Sequence, residues 1–290
     1  MLTQAQIDQF HRDGYLVVEN VLTAEQLAGL RQQLESWVDE SREYSEAYGE
    51  TLDGRPRFDV DPADHSAEHP SLRRVSSPTE ISDAYYDTAM KSAMAIMAGQ
   101  LIGGSGTRFH HSKVNAKPPH TVTTVKWHQD FPFTPHTNDD MITALLMVGE
   151  VTAENGPLQV IPGSHKGELY NHWQDGRFTG KVEEAVEAEQ CQNYVSCTGP
   201  AGSVCFMHTR LLHASGANQT ELPRYLFITV YAAEDAMPIS DNPLPSKHQG
   251  QLVYGEESGQ IRMSANQLKL PQKPKGASFF VQQAGLEEVA

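Results

Sequence analysis

From about residue 108 onward the chain breaks into short apolar segments divided by turn signals, and no other feature limits its fold as much. Strand candidates lie at 108–116, 122–130, 141–151, 157–162, 203–208, 211–215 and 224–233, with Asn155-Gly156 and Pro162-Gly163 among the turns between them. Short strands of this kind bury their apolar faces by stacking two antiparallel sheets or by closing a barrel. The expected fold is mainly β with flanking helices, a double-stranded β-helix of the jelly-roll or cupin-like type.

The first hundred residues follow a different period. Thr3-Gln4-Ala5-Gln6 and Thr23-Ala24-Glu25-Gln26 are capping-box patterns. Behind the first, Ile7 and Phe10 begin an apolar stripe that stops at Gly14; behind the second, Leu27, Leu30, Leu34 and Trp37 recur at helical spacing. Two helices packed outside a sheet are expected, with a short strand at 15–19 between them. Residues 41–82 hold no persistent period and read as a lid or substrate loop. A further helix is expected at about 88–101, with Met90, Met94 and Met97 as core packing. The whole of 1–290 is expected to form one domain: helices and loop over 1–105, barrel core over 106–235, and a C-terminal wrap over 236–290.

Charge narrows the partners. With 22 Lys+Arg against 37 Asp+Glu, the formal net charge is −15, a field that repels nucleic acid and anionic membrane surfaces. No apolar run approaches the ~18 residues of a membrane span. The start lacks the basic and apolar regions of a signal peptide. The three cysteines, Cys191, Cys197 and Cys205, are too few and too irregularly spaced for a disulfide framework or a zinc motif. Cys205 reads as a small buried core residue. A cytoplasmic protein acting on a small molecule is the expectation, and basic residues on inward strands then become informative.

Trp127-His128-Gln129-Asp130 carries a His-x-Asp triplet. On an extended strand positions i and i+2 share a face, so His128 and Asp130 can meet one ion while Gln129 points away. The triplet alone is weak, since 13 His and 15 Asp in 290 residues give about 0.7 by chance. A second copy, His11-Arg12-Asp13, falls at a helix end where i and i+2 diverge, and reads as a solvated terminus. Downstream, His208 and His213 each could supply a third ligand, and their spacing of five leaves the choice open. Two histidines and a carboxylate form the facial triad of non-haem iron(II) oxygenases, with positions left for a chelating co-substrate and O₂; zinc accepts the same ligands in hydrolases. Arg224 favours the oxygenase. A guanidinium leading the apolar strand Arg224-Tyr225-Leu226-Phe227-Ile228 is costly to bury unless it pairs with an anion, and its fork fits a carboxylate.

With these residues in place the chain resembles the phytanoyl-CoA dioxygenase family of iron(II)/2-oxoglutarate oxygenases, which includes ectoine hydroxylase. The resemblance runs through Phe10-His11-Arg12-Asp13-Gly14-Tyr15, Trp127-His128-Gln129-Asp130, Glu154-Asn155-Gly156-Pro157-Leu158, Ile161-Pro162-Gly163-Ser164-His165 and Leu212-His213-Ala214-Ser215-Gly216, in order. It implies iron ligation by His128, Asp130 and His213, and a salt link from Arg224 to the distal carboxylate of 2-oxoglutarate, aided by Ser215. Lys113 and Asn115 fall on a strand that contacts the co-substrate, and Gly163 and His165 match a structural turn. Related halogenases carry a small residue in place of the metal carboxylate; Asp130 therefore favours hydroxylation. The expected activity is Fe(II)-, 2-oxoglutarate- and O₂-dependent hydroxylation of a small polar or carboxylated metabolite, releasing succinate and CO₂. A metal-binding barrel without turnover and a zinc hydrolase are the alternatives. Substrate contacts are expected from the 41–82 loop, His111, Phe131, Phe133, Met207 and Arg210. Arg73-Arg74 could meet an anionic substrate, although exposed basic pairs are as a rule simply solvated.

Overall fold

A computed structural model describes residues 1–122, 124–264 and 271. The part of the expected C-terminal wrap at 265–270 and 272–290 lies outside the described residues. In chain order the elements are α1 (Gln4–Asp13), β1 (Tyr15–Val18), α2 (Ala24–Ser41), β2 (Phe58–Val60), β3 (Leu72–Ser76), α3 (Asp83–Lys91), α4 (Ala93–Ile102), β4 (Gly106–Lys117) and β5 (Val125–His128). They continue with β6 (Met141–Met147), β7 (Leu158–Val160), β8 (Trp173–Gln174), β9 (Arg177–Phe178), α5 (Glu184–Gln190), β10 (Val195–Cys197), β11 (Val204–His208), β12 (His213–Ser215), β13 (Arg224–Ala233) and β14 (Leu252–Gly255).

Both capping boxes form as the sequence predicts. Thr3 and Thr23 each accept from the backbone three residues on, while Gln6 and Gln26 reach back to the cap nitrogen. The helix expected over 88–101 is instead two helices, α3 and α4. Ser92 breaks it, donating its hydroxyl to the Thr88 carbonyl and accepting from Met94 N–H, so its side chain replaces backbone helix bonds. Met90, Met94 and Met97 are all buried in the core. Residues 41–82 are less irregular than their sequence suggests. β2 and β3 pair with each other, and β3 extends the sheet beyond β4. Strands of three and five residues carrying Asp59, Arg73 and Arg74 leave too little apolar alternation to read.

Two sheets face each other in a double-stranded β-helix. The larger runs β1-β11-β6-β13-β4-β3-β2, with β14 also on β4; the smaller runs β10-β7-β12-β5. The outer face of the larger sheet lies under the helices. Leu30, Leu34 and Trp37 of α2, Tyr85 of α3 and Met94 and Leu101 of α4 pack with Phe206, Phe227 and Tyr231 in one buried cluster. Each such side chain contributes roughly 1.5–3 kcal/mol by leaving water. β6 is buried along its entire length, which explains its continuous apolar run. On β13 the alternation is clean: Phe227 and Tyr231 go to the helices, whereas Leu226, Ile228 and Val230 face the space between the sheets.

Candidate metal centre and cation-lined cavity

That space is a cavity of about 450 Å³. β4 turns His111, Lys113, Asn115 and Lys117 towards it, β3 contributes Arg74 and Ser76, and β13 adds Arg224 beside its apolar residues. From the facing sheet come His128, His213 and Ser215. Segments 51–56 and 240–245 form part of its lining and are tied together, Arg55 donating to the Pro243 carbonyl and Ser77 to that of Pro245.

His128 and His213 are register partners on adjacent strands, with ring centroids 4.0 Å apart. Asp130 joins them by a different route from the strand pleat that the sequence suggests. β5 ends at His128, and Asp130 has helical backbone angles (φ −74, ψ −34) where it caps a 3₁₀ turn over Phe131–Phe133, with Pro132 fixing the first turn. The turn swings the carboxylate onto the two rings. His128 Nε2 and His213 Nε2 each stand 3.5 Å from Asp130 Oδ1, and the three ligand atoms lie within 4.8 Å of one another.

Hydrogen bonds fix which atoms are free to ligate. Nδ1 of His128 lies 2.7 Å from the Lys126 carbonyl and Nδ1 of His213 lies 2.9 Å from that of Leu211. A carbonyl only accepts, so each Nδ1 donates and each Nε2 keeps its lone pair. Thr143 Oγ1 donates to Asp130 Oδ2 at 2.6 Å, leaving Oδ1 towards the histidines. Burial, reinforced by His213, pulls the His128 ring down to about 4. Burial would raise the Asp130 carboxyl, but His213 and His128 outweigh it and hold it well below the usual carboxylate range. Two neutral imidazoles and one carboxylate aimed at a common point fit a divalent metal.

A second charged group lies at the start of β13. Arg224 is 3% exposed, its Nε is buried without a hydrogen-bond partner among the described residues, and burial draws its guanidinium down to about 9. Lys117, its register partner on β4, is pulled down to about 6 by burial and by Arg224, and its Nζ donates to the Gly216 carbonyl. Gly156 makes room for it: at φ +80, a Cβ there would lie 2.8 Å from both Lys117 Cδ and the Gly216 carbonyl oxygen. Two basic groups held this close out of water suit an entering carboxylate.

The remaining expected residues divide. Phe133 and Met207 line the cavity. Phe133 also packs edge-on against His128, at 5.8 Å, and Gly180 (φ +68) leaves space for its ring, since a Cβ there would meet Phe133 Cζ at 2.5 Å. Phe131 does not line it: positions i and i+2 of a 3₁₀ turn point apart, and Phe131 packs against Met141, Val230 and Ala232. Arg210 does not line it either. It follows the end of β11 and pairs outside with Asp139 at 2.7 Å and the Gly167 carbonyl. His208, one residue after inward Met207, faces the opposite way and packs against His165. Arg12 and Asp13 pair with each other at the end of α1. The Arg73-Arg74 pair splits across the pleat, Arg73 bonding Asp59 at 3.0 Å and Arg74 turning into the cavity. The sequence reading missed Lys117 and Thr143. Lys117 was within reach, because the i, i+2 rule that selects Lys113 and Asn115 extends to it. Thr143, within the apolar run of β6, gave no signal.

Buried histidines set a pH dependence. Burial is the main cause that lowers His111, His172 and His208 to about 3 and His136 to about 4. The unfolded chain therefore binds more protons than the folded one between these values and about 6.5, so stability rises with pH through that window and is complete above it. At pH 5 each ring could contribute up to about 2 kcal/mol of destabilisation. The melting temperature of the metal-free protein is expected to fall by roughly 10 °C or more from pH 6.5 to 5, even after allowance for relaxation. A flat thermal-shift profile over that range would show the rings to be solvated.

The sequence model of the family described as "Phytanoyl-CoA dioxygenase (PhyH)" matches residues 10–225. A "probable alpha-ketoglutarate-dependent hypophosphite dioxygenase" of Stutzerimonas stutzeri is 34% identical over 207 residues, covering 69% of this chain and 71% of that protein. An ectoine dioxygenase of Stutzerimonas stutzeri (strain A1501) is 27% identical over 242 residues, covering 78% and 75%. The crystal structure of EctD from S. alaskensis with bound Fe superposes with a TM-score of 0.70 at 22% identity, covering 89% of this chain and 88% of that one, a likeness of fold. The matched span includes the cavity-lining β4, the His128–Asp130 turn, His213 and Arg224, and the chain belongs to the phytanoyl-CoA dioxygenase family of iron(II)/2-oxoglutarate oxygenases.

Proposed function

We propose that this dioxygenase hydroxylates an unactivated C–H bond of a small polar or carboxylated metabolite, consuming 2-oxoglutarate and O₂ and releasing succinate and CO₂. One observation carries the reading: a single cavity holds two imidazole Nε2 atoms and a carboxylate oxygen within 4.8 Å of one another, together with the buried guanidinium of Arg224. His128, Asp130 and His213 would hold the iron. Bound there, iron(II) supplies the redox chemistry by which O₂ decarboxylates the oxo-acid and oxidises the substrate. The protein's part is to bind, orient and exclude water. Arg224 and Lys117 take the distal carboxylate of 2-oxoglutarate and Ser215 donates to it, while Asn115 lines the same wall. Leu145, Leu226, Ile228 and Val230 keep the centre dry. Thr143 holds Asp130 in one rotamer. A zinc hydrolase would leave Arg224 without an anion, and a full carboxylate at Asp130 occupies the space a halide would need.

A second substrate is favoured by a specific finding. The relative at 34% identity is named for hypophosphite, so oxidation of a phosphorus oxyanion is the competing reading. To test the activity class, anaerobic protein is loaded with Fe(II) and titrated with 2-oxoglutarate. A visible metal-to-ligand charge-transfer band should grow to saturation and bleach on admission of O₂ and substrate, with succinate formed. Absence of any band from folded, iron-loaded protein would overturn the reading. Both oxidations add one oxygen, so a mass-spectrometric screen that identifies which compound gains 16 mass units would separate a C–H from a P–H substrate.

A further inference from the structure

We propose that Arg74, Lys113 and His111 form a second anion-binding pole, beside the metal centre, which seats an oxyanionic group of the primary substrate; the inference rests on the oxygenase reading of the same cavity. Register separates this pole from that of the co-substrate. Arg224 pairs across β13/β4 with Lys117, whereas Lys113 lies four residues further along β4, opposite Ile228, and His111 opposite Val230. β3 adds Arg74 opposite Asn115 and Ser76 opposite Lys113. Electrostatics divides the cations in the same way. Arg224 acts on Lys117, whereas Arg74 and Asp130 act on Lys113, and Lys113, Asp130, Arg74 and His136 act on His111. The oxo-acid brings one distal carboxylate, which Arg224 and Lys117 receive. The other two cations face the same cavity next to the metal ligands.

His111 completes the pole through a distortion of β4. Register slips between Val230 and Tyr231, which pair with His111 and Phe109 and leave His110 as the extra residue of a bulge. Neighbouring histidines, which regular pleating would send to opposite faces, then touch: His110 Nδ1 lies 2.6 Å from His111 Nδ1. One nitrogen must donate to the other. His110 Nε2 is buried without a partner among the described residues. A buried N–H without an acceptor is the costlier orphan, so His110 carries its proton on Nδ1 and donates it to His111. His111 Nδ1 thereby accepts, and its Nε2 carries the remaining proton. The pole is thus made of donors only: an ammonium, a guanidinium and a neutral imidazole N–H. Carboxylates and phosphorus oxyanions share the acceptor chemistry that this set requires.

The test uses anaerobic full-length protein loaded with Fe(II) and 2-oxoglutarate, titrated calorimetrically with acetate, methylphosphonate and hypophosphite, and with methylammonium as a cationic control. At least one oxyanion is expected to bind at a ratio of one to one, and methylammonium is not. Whichever arm binds identifies carboxylate or phosphorus chemistry. Lys113→Met and Arg74→Met should each weaken that oxyanion by about 30-fold, the scale of a lost charge-assisted hydrogen bond. Both should leave 2-oxoglutarate affinity, read from the charge-transfer band, within about threefold, which also shows that the variants fold and bind metal. His111→Gln should retain binding through its amide N–H, whereas His111→Phe should lose it. If 2-oxoglutarate binds but no oxyanion does, the pole is refuted while the oxygenase reading stands. If the variants weaken 2-oxoglutarate instead, the pole belongs to the co-substrate and the proposal fails. Loss of the band from the unmodified protein would overturn the underlying reading itself.

Discussion

His213→Ala should abolish 2-oxoglutarate-dependent succinate formation, by ~10³-fold or more, and should remove the charge-transfer band because iron no longer binds, whereas His208→Ala should keep the band. The two histidines are only five residues apart in sequence, but they differ in physical setting. His213 is a register partner of His128, and its Nδ1 proton is tied to the Leu211 carbonyl, which keeps Nε2 a ligand. His208 accepts the Arg210 N–H at Nδ1 and packs on His165, on the other side of the strand from Met207. Removing it leaves the Arg210 amide without that acceptor and takes a ring away from His165, so the expected cost is about 1–3 kcal/mol of stability, not activity. Iron titration of both variants by absorbance, with circular dichroism as a fold check, decides the matter. A His208→Ala protein that folds yet has lost the band would place the ligand on the wrong histidine.

How much of this was readable beforehand depends on how local each determinant is. The capping boxes at Thr3 and Thr23, the strands β4, β6, β11 and β13, and the inward pair Lys113 and Asn115 rest on periods of two or 3.6 residues, which sequence carries directly. For Asp130 the i, i+2 rule is incomplete: a 3₁₀ turn containing Pro132, not a continued strand, brings its carboxylate onto the histidines. That turn also explains why Phe133 reaches the cavity and Phe131 does not. The sequence places Arg210 among the expected substrate contacts, but the turn after β11 carries it to Asp139. The bulge at His110 was beyond reach of any local rule. It depends on the register of β13 against β4, a contact made across more than a hundred residues of chain. β2 and β3 were missed for a similar reason, since a three-residue strand is stabilised by its neighbours and not by its own pattern.

Arg224→Met should raise the dissociation constant for 2-oxoglutarate by ~10²–10³-fold while leaving Fe(II) affinity near that of the unmodified protein and raising the melting temperature of the metal-free form. The opposite signs come from one cause. The guanidinium is buried, its Nε has no hydrogen-bond partner among the described residues, and Lys117 next to it is pulled to about 6. Replacing it with an apolar side chain of similar reach removes a desolvation cost and the repulsion on Lys117. Once a carboxylate enters, the same guanidinium supplies a forked, charge-assisted contact that methionine cannot make. Arg224→Lys should recover only part of the affinity, because an ammonium offers a point charge where the fork is needed and brings a second amine up to Lys117. Titration of the charge-transfer band gives the dissociation constants, and thermal unfolding without metal gives the stabilities. Arg224→Met protein that binds 2-oxoglutarate within about threefold of the unmodified protein would remove Arg224 from the co-substrate site. Variant protein that melts lower would show that the buried guanidinium is satisfied by the fold itself and is not held in readiness for an anion.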